Sequence, residues 1–159
     1  MLATLAISAL LTTGCPHATR HAAPAREART VLCLVNAARS ADGLRRLRPS
    51  APLGAAARGW ARTLVRTRTF SHTGPDGSTP SVRMAHAGYP GPGFGETIAW
   101  GQGTLGTPAG IVSEWMDSPP HRAVLLSPLM RDGGVGVVRG SPVAGRPGGT
   151  TVVADLGYR

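Results

Sequence analysis

Apolar residues in this chain change period part-way along it, and that change limits what it can fold into. Val31, Leu34, Val35 and Ala38 recur at helical spacing, with Arg29, Asn36 and Arg39 off the stripe, up to a stop at Asp42-Gly43. After a break from Pro49 to Pro52, the residues Leu53, Ala56, Ala57, Trp60, Ala61 and Leu64 hold the same period while Arg58, Arg62 and Arg66 take the other face. Near the end the period becomes two: Val135 and Val137 alternate with small or polar residues, and Val152, Ala154, Leu156 and Tyr158 share one face of a second strand. A Gly/Pro-rich hairpin from Gly140 to Gly149 joins these strands. Helices early and strands late predict an α+β domain with helices packed against an antiparallel sheet.

The middle of the chain is punctuated by turn residues. Phe70 to Pro80 reads as an ordered loop with a Pro75-Asp76-Gly77 turn, and a short helix from Ser81 to His86 stops at Gly88. The loop from Gly88 to Gly95 leads into a strand, Glu96 to Trp100. A further helix starts at Pro108, buries Ala109, Val112, Trp115 and Met116, and ends at Pro119-Pro120. Trp60, Trp100 and Trp115 read as core anchors. The Asp76-Gly77 and Asp132-Gly133 pairs read as turns and not as calcium loops, because the regular run of oxygen ligands is missing.

At 159 residues the chain holds one compact domain, and 42% hydrophobic residues with 16% charged ones describe a globular protein. The net charge of +9 is carried entirely by Arg, with no Lys, beside 22 Gly and 14 Pro. That uniformity is the mark of a GC-rich genome more than of a nucleic-acid site. Aromatic residues are only 4% and no zinc-finger spacing is present, so no nucleic-acid partner is expected. Ten Arg lie between Arg26 and Arg68, a basic surface suited to anionic envelope polymers or lipid head groups.

Leu2 to Leu11 is an apolar run too short to span a bilayer and reads as the core of an export signal over residues 1–14. Residues 15–27 read as a linker, with His17 and His21 solvated, and residues 28–159 as the domain. An extracellular or cell-envelope location follows, with no transmembrane segment once the signal is removed. Two readings of Cys15 exclude each other. The run Leu11-Thr12-Thr13-Gly14-Cys15 is a weak lipoprotein box, whereas two cysteines in an exported chain more often pair, which would join Cys15 to Cys33.

Two histidines, His72 and His121, stand beside turn residues, and Glu96 opens a strand between them in sequence. Their surroundings are Phe70-Ser71-His72-Thr73-Gly74-Pro75-Asp76-Gly77, Gly95-Glu96-Thr97-Ile98-Ala99-Trp100-Gly101 and Trp115-Met116-Asp117-Ser118-Pro119-Pro120-His121-Arg122. In that order these segments resemble the signatures of the CAP superfamily (cysteine-rich secretory proteins, antigen 5 and pathogenesis-related proteins), in its bacterial SCP-like extracellular type. Leu34-Val35-Asn36-Ala37-Ala38-Arg39 and Gly134-Val135-Gly136-Val137 are similar to the same family, so the resemblance runs from about Thr30 to Tyr158. It implies an α-β-α sandwich with a small antiparallel sheet and a cleft in which His72, Glu96 and His121 converge, a centre that in several relatives binds a divalent cation such as zinc. Ser118 stands where eukaryotic relatives carry a further glutamate, and Thr97 and Val124 stand where bacterial relatives often have Asn. Glu114 or Asp117 would have to compensate.

Three functions are open at this point. Two neutral imidazoles can ligate zinc while a carboxylate fixes a ring's tautomer or adds an oxygen, giving a cleft at His72, Glu96, His121 and Ser118 that binds a cation, or a small apolar or envelope ligand. This reading is a binding protein and not an enzyme. A zinc-dependent hydrolase with Glu96 as catalytic base uses the same residues. A basic adhesion module would ignore them and weaken as salt rises. Against all three stands a purely structural hydrogen-bond network pinning loops to strand. Ser71 and Ser118 lack a nucleophile-elbow context and read as turn residues.

Overall fold

The computed structural model describes residues 14–159, so all but the last residue of the expected export signal lies outside the described residues. In chain order the elements are α1 (Pro24–Ala41), β1 (Arg48–Pro49), α2 (Ala51–Thr67), α3 (Pro80–His86), β2 (Gly93–Gly101), a 3-10 turn (Gly103–Gly106), α4 (Pro108–Asp117), α5 (Pro119–Leu125), β3 (Asp132–Arg139) and β4 (Thr150–Tyr158). Ser50, Thr79 and Thr107 cap α2, α3 and α4 by accepting from backbone N–H groups of the first turn, and each is followed by Pro at one of the first helical positions.

The sheet runs β1-β3-β4-β2. β4 pairs antiparallel with both β3 and β2 over its length, and β1 adds two residues parallel to Asp132 and Gly133. On one face, Val135, Val137, Val152, Ala154 and Leu156 bury against Val31, Leu34 and Val35 of α1 and Ile111, Val112 and Trp115 of α4. On the other, Ile98, Val138 and Val153 meet Ala57, Trp60, Ala61 and Leu64 of α2, and Met84 of α3 closes on Leu53 and Ala56. The result is the α-β-α sandwich. An ideal Cβ on Gly136 would lie 2.2 Å from the backbone N of Arg58, so the glycines of β3 let α2 lie directly on the strand.

Several expectations need correction. Pro119-Pro120 ends α4 and also starts α5, because a proline fits the first turn of a helix, where N–H groups have no partner anyway. The sheet is mixed by virtue of β1. Asp132-Gly133 is the start of β3, and buried Asp132 accepts from Arg48, Arg159 and the Tyr89 hydroxyl, which burial and Asp132 push up to about 12. Asn36 and Arg39, off the apolar stripe, are both buried: Asn36 bonds the backbone of Leu47 in both directions, and Arg39 donates to the carbonyls of Arg45, Leu125, Ser127 and Met130.

The segment read as a linker is fastened down. Cys15 is bonded to Cys33, Cys15 and Ala18 are buried in the core beside α1 and α4, and Ala109 N donates to Ala18 O. His21 is exposed but contacts Glu27 and Gly103 O, and buried Glu27 accepts two guanidinium bonds from Arg139. These ties hold the segment because it closes over the α1 end of the core, a role its lack of periodicity conceals. Among the described residues no helix is long and apolar enough to cross a membrane.

Candidate functional site

The site is assembled at the β2 edge of the sheet by three segments. After α2 ends at Arg68, which takes a left-handed conformation (φ 54°), the chain turns into the loop that carries His72. This loop closes on itself: Gly74 N donates to Ser78 O, and Asp76 Oδ1 accepts from Ser78 N. Arg83 of α3 then pins it by donating to the carbonyls of Ser78 and His72. Glu96 points from β2 toward the α2 and α3 layer, and α5 brings His121 to the same edge. Gly95 makes that approach feasible, since an ideal Cβ there would lie 2.7 Å from Val124 of α5.

His72 Nδ1 lies 2.7 Å from Glu96 Oε1. A carboxylate only accepts, so Nδ1 carries the proton, and in that tautomer of the neutral ring the Nε2 lone pair is the free one. The His72 side chain is 49% exposed and that of Glu96 1%, so the acid is the buried anchor and the imidazole the accessible face. The second oxygen of Glu96 accepts from Arg83 Nη2 at 2.9 Å, and the guanidinium carbon lies 3.7 Å from the Trp60 ring centroid. Behind Glu96, its cross-strand partner Asp155 is buried with both oxygens lacking a conventional donor. Burial first, and then the Glu96 charge, hold the Asp155 carboxyl well above the usual carboxylate range, which favours its protonated form beside Glu96.

His121 is half-buried, and its Nδ1 is buried without a partner. Burial lowers its pKa, and a protonated His72 would lower it further, so the surroundings favour a neutral imidazole at His121. The structure thus brings His72 and Glu96 into direct contact and His121 within electrostatic reach of His72. Ser118 forms the junction between α4 and α5 and its side chain caps neither helix. Ser71 accepts from Thr73 N, as a turn residue does. Glu114 and Asp117 are exposed. A groove of about 570 Å³ lies beside the centre, between α2 and the loop leading into α3, and of the site residues Trp60 and Arg83 stand in its wall while the histidines do not.

A divalent cation can be tested against this donor set. Glu96, a candidate ligand in the sequence, has one oxygen on His72 and the other on Arg83, so both oxygens are already engaged in supporting neighbouring side chains. Among the described residues no three His, Cys, Asp or Glu side chains gather as a metal shell. What remains is two imidazoles, fewer than the three protein ligands of a typical catalytic zinc site. Sequence reading missed Arg83 and Asp155. Nothing marks Arg83, whereas an acid inside the apolar run Val152-Val153-Ala154-Asp155-Leu156 is itself a sign of a buried, specialised carboxyl.

A model of the cysteine-rich secretory protein family, CAP, matches residues 32–154. The chain belongs to the CAP family. This CAP domain is 33% identical over 113 residues to YkwD, an uncharacterized protein of Bacillus subtilis, covering 71% of this chain and 43% of that protein. The chain therefore spans less than half the length of that relative. The CAP fold here is similar to an extracellular SCP-domain protein of Bacillus anthracis (TM-score 0.72, 21% identity, 86% of this chain and 41% of that one). It is also similar to an outer surface protein of Borrelia burgdorferi (TM-score 0.67, 22% identity, 82% of this chain and 91% of that one).

Proposed function

We propose that this CAP domain is an extracytoplasmic binding domain whose recognition centre is the pair His72 and His121, a two-imidazole seat for a divalent cation such as zinc. The observation that carries the reading is the bond from His72 Nδ1 to buried Glu96, which aims the Nε2 lone pair outward and fixes the tautomer a cation ligand needs. A bound cation would supply Lewis acidity and open positions for water or for a ligand group. His121 adds a second neutral ring, Arg83 holds Glu96 in place, and the exposed face of His72 leaves room for an incoming ligand. The disulfide fits an oxidising compartment, and the extracellular and outer-surface descriptions of similar structures agree with that setting.

The hydrolase reading asks Glu96 to take a proton from water while one oxygen accepts from His72 and the other from the Arg83 guanidinium, bonds that favour the charged carboxylate and weaken it as a base; binding is therefore the better-supported function. Calorimetric titration of zinc into the wild type and into His72→Ala and His121→Ala tests it. One zinc site in the wild type, lost in each variant while circular dichroism stays native, is the expected result. Unchanged zinc binding in the folded double variant would overturn it and leave the network a structural role.

A further inference from the structure

β3 has an outer edge with almost nothing beside it. β1 pairs with Asp132 and Gly133 only, and no strand of the described residues lies beyond Gly133. Gly133 O accepts from Ser50 N on that outer edge, while Gly140 N donates to Gly149 O on the hairpin side. Strand alternation then turns the N–H and C=O of Val135 and Val137 outward, since peptide groups of every second residue share an edge. A groove of about 350 Å³ lies there, touching Ala25 and Ala28 of α1, Arg58 and Arg62 of α2, and Val135 and Val137. Because α1 and α2 cover opposite faces of the sheet, a groove that touches both lies over the sheet's edge. β1 already shows that an extended segment fits beside β3.

The two walls differ in chemistry. One is small and apolar along Pro24, Ala25 and Ala28, with Arg139 at its end already paired to Glu27. The other is cationic: Arg58 and Arg62 are exposed, and among the described residues neither forms an ion pair. α2 runs along β3, since ideal Cβ atoms on Gly134, Gly136 and Gly140 would meet Gly54, Arg58 and Val65 in turn. Four residues of helix advance about 6 Å. Two residues of strand advance about 6.6 Å. Carboxylates at alternate positions of an added strand would therefore meet Arg58 and Arg62 together, with small side chains between them turned to Ala25 and Ala28. We propose that this edge of β3 binds an extended acidic peptide by strand addition, with acidic residues alternating with small apolar ones.

The test uses the full chain and a fluorescein-labelled synthetic peptide of alternating glutamate and alanine. Fluorescence anisotropy at low salt should show saturable binding, weakened at least ten-fold by Arg58→Glu with Arg62→Glu in a variant whose circular dichroism is native. Amide hydrogen exchange at Val135 and Val137 should slow when the peptide is bound, and N-methylation of alternate peptide amides should abolish binding. Absence of binding, unchanged exchange at those two amides, or equal affinity for the N-methylated peptide or for inorganic polyphosphate would overturn the proposal.

Discussion

Glu96 on β2 and Asp155 on β4 are direct cross-strand partners, and both are buried. Two ionised carboxylates so placed would repel in a medium that screens poorly, and a protonated Asp155 removes the conflict by giving its oxygens a hydrogen to donate. Its folded-state pKa is raised by burial and by Glu96. The stability this group contributes is therefore complete below the unfolded pKa, about 4, and is lost as pH rises toward the folded value. Asp155→Asn keeps the shape and a donor without the ionisation penalty. Its Tm should match the wild type near the acid end and exceed it by a few degrees at neutral pH, read from thermal melts across pH. A Tm difference that does not change with pH would count against a protonated Asp155.

Glu96→Gln leaves one oxygen where His72 and Arg83 both require an acceptor. His72 then loses its fixed orientation but keeps the Nε2 of the proposed cation seat. Zinc affinity should fall by about 10- to 100-fold, the usual effect of losing a ligand's supporting partner. A complete loss, equal to that of His72→Ala by calorimetry, would instead mark Glu96 as a ligand itself.

Arg39→Met should be among the most destabilising single changes in the chain. The guanidinium is fully buried and serves four carbonyl oxygens, three at the end of α5 and the turn before β3 and one, that of Arg45, in the loop after α1. Leaving these acceptors unmet costs about 3 kcal/mol or more, measurable as a lower urea midpoint with unchanged slope.

The Cys15 to Cys33 bond closes a loop with a sequence separation of 18. Cys33→Ser should lower stability by about 3 kcal/mol. It should also open the segment around exposed Arg20 to trypsin, while the fold from α1 onward persists. Limited proteolysis with and without reductant reads this directly.

Local signals account for what could be read in advance. The periods that define α1, α2, β3 and β4 are properties of neighbouring residues, as are the caps and turns that bound them. The order of motifs around His72, Glu96 and His121 was equally plain, because each lies in a short distinctive string. The start of the fold was not: residues 15–23 carry no period, and only the disulfide and the Glu27 and Arg139 contacts reveal that they are docked. Asn36 and Arg39 looked solvent-facing because a helix shows its polar side without showing what will cover it.

By itself the sequence determined helices α1 to α4 and strands β2 to β4, since each depends on spacing within a few residues, whereas the sandwich and the candidate pair of imidazoles were what the resemblance to the CAP family implied. Only the tertiary structure decided that Glu96 serves His72, is itself held by Arg83 and lies opposite Asp155 across the strands. That arrangement depends on strand register and on a loop meeting a strand 24 positions away, and such distant partners meet only when the whole core has packed.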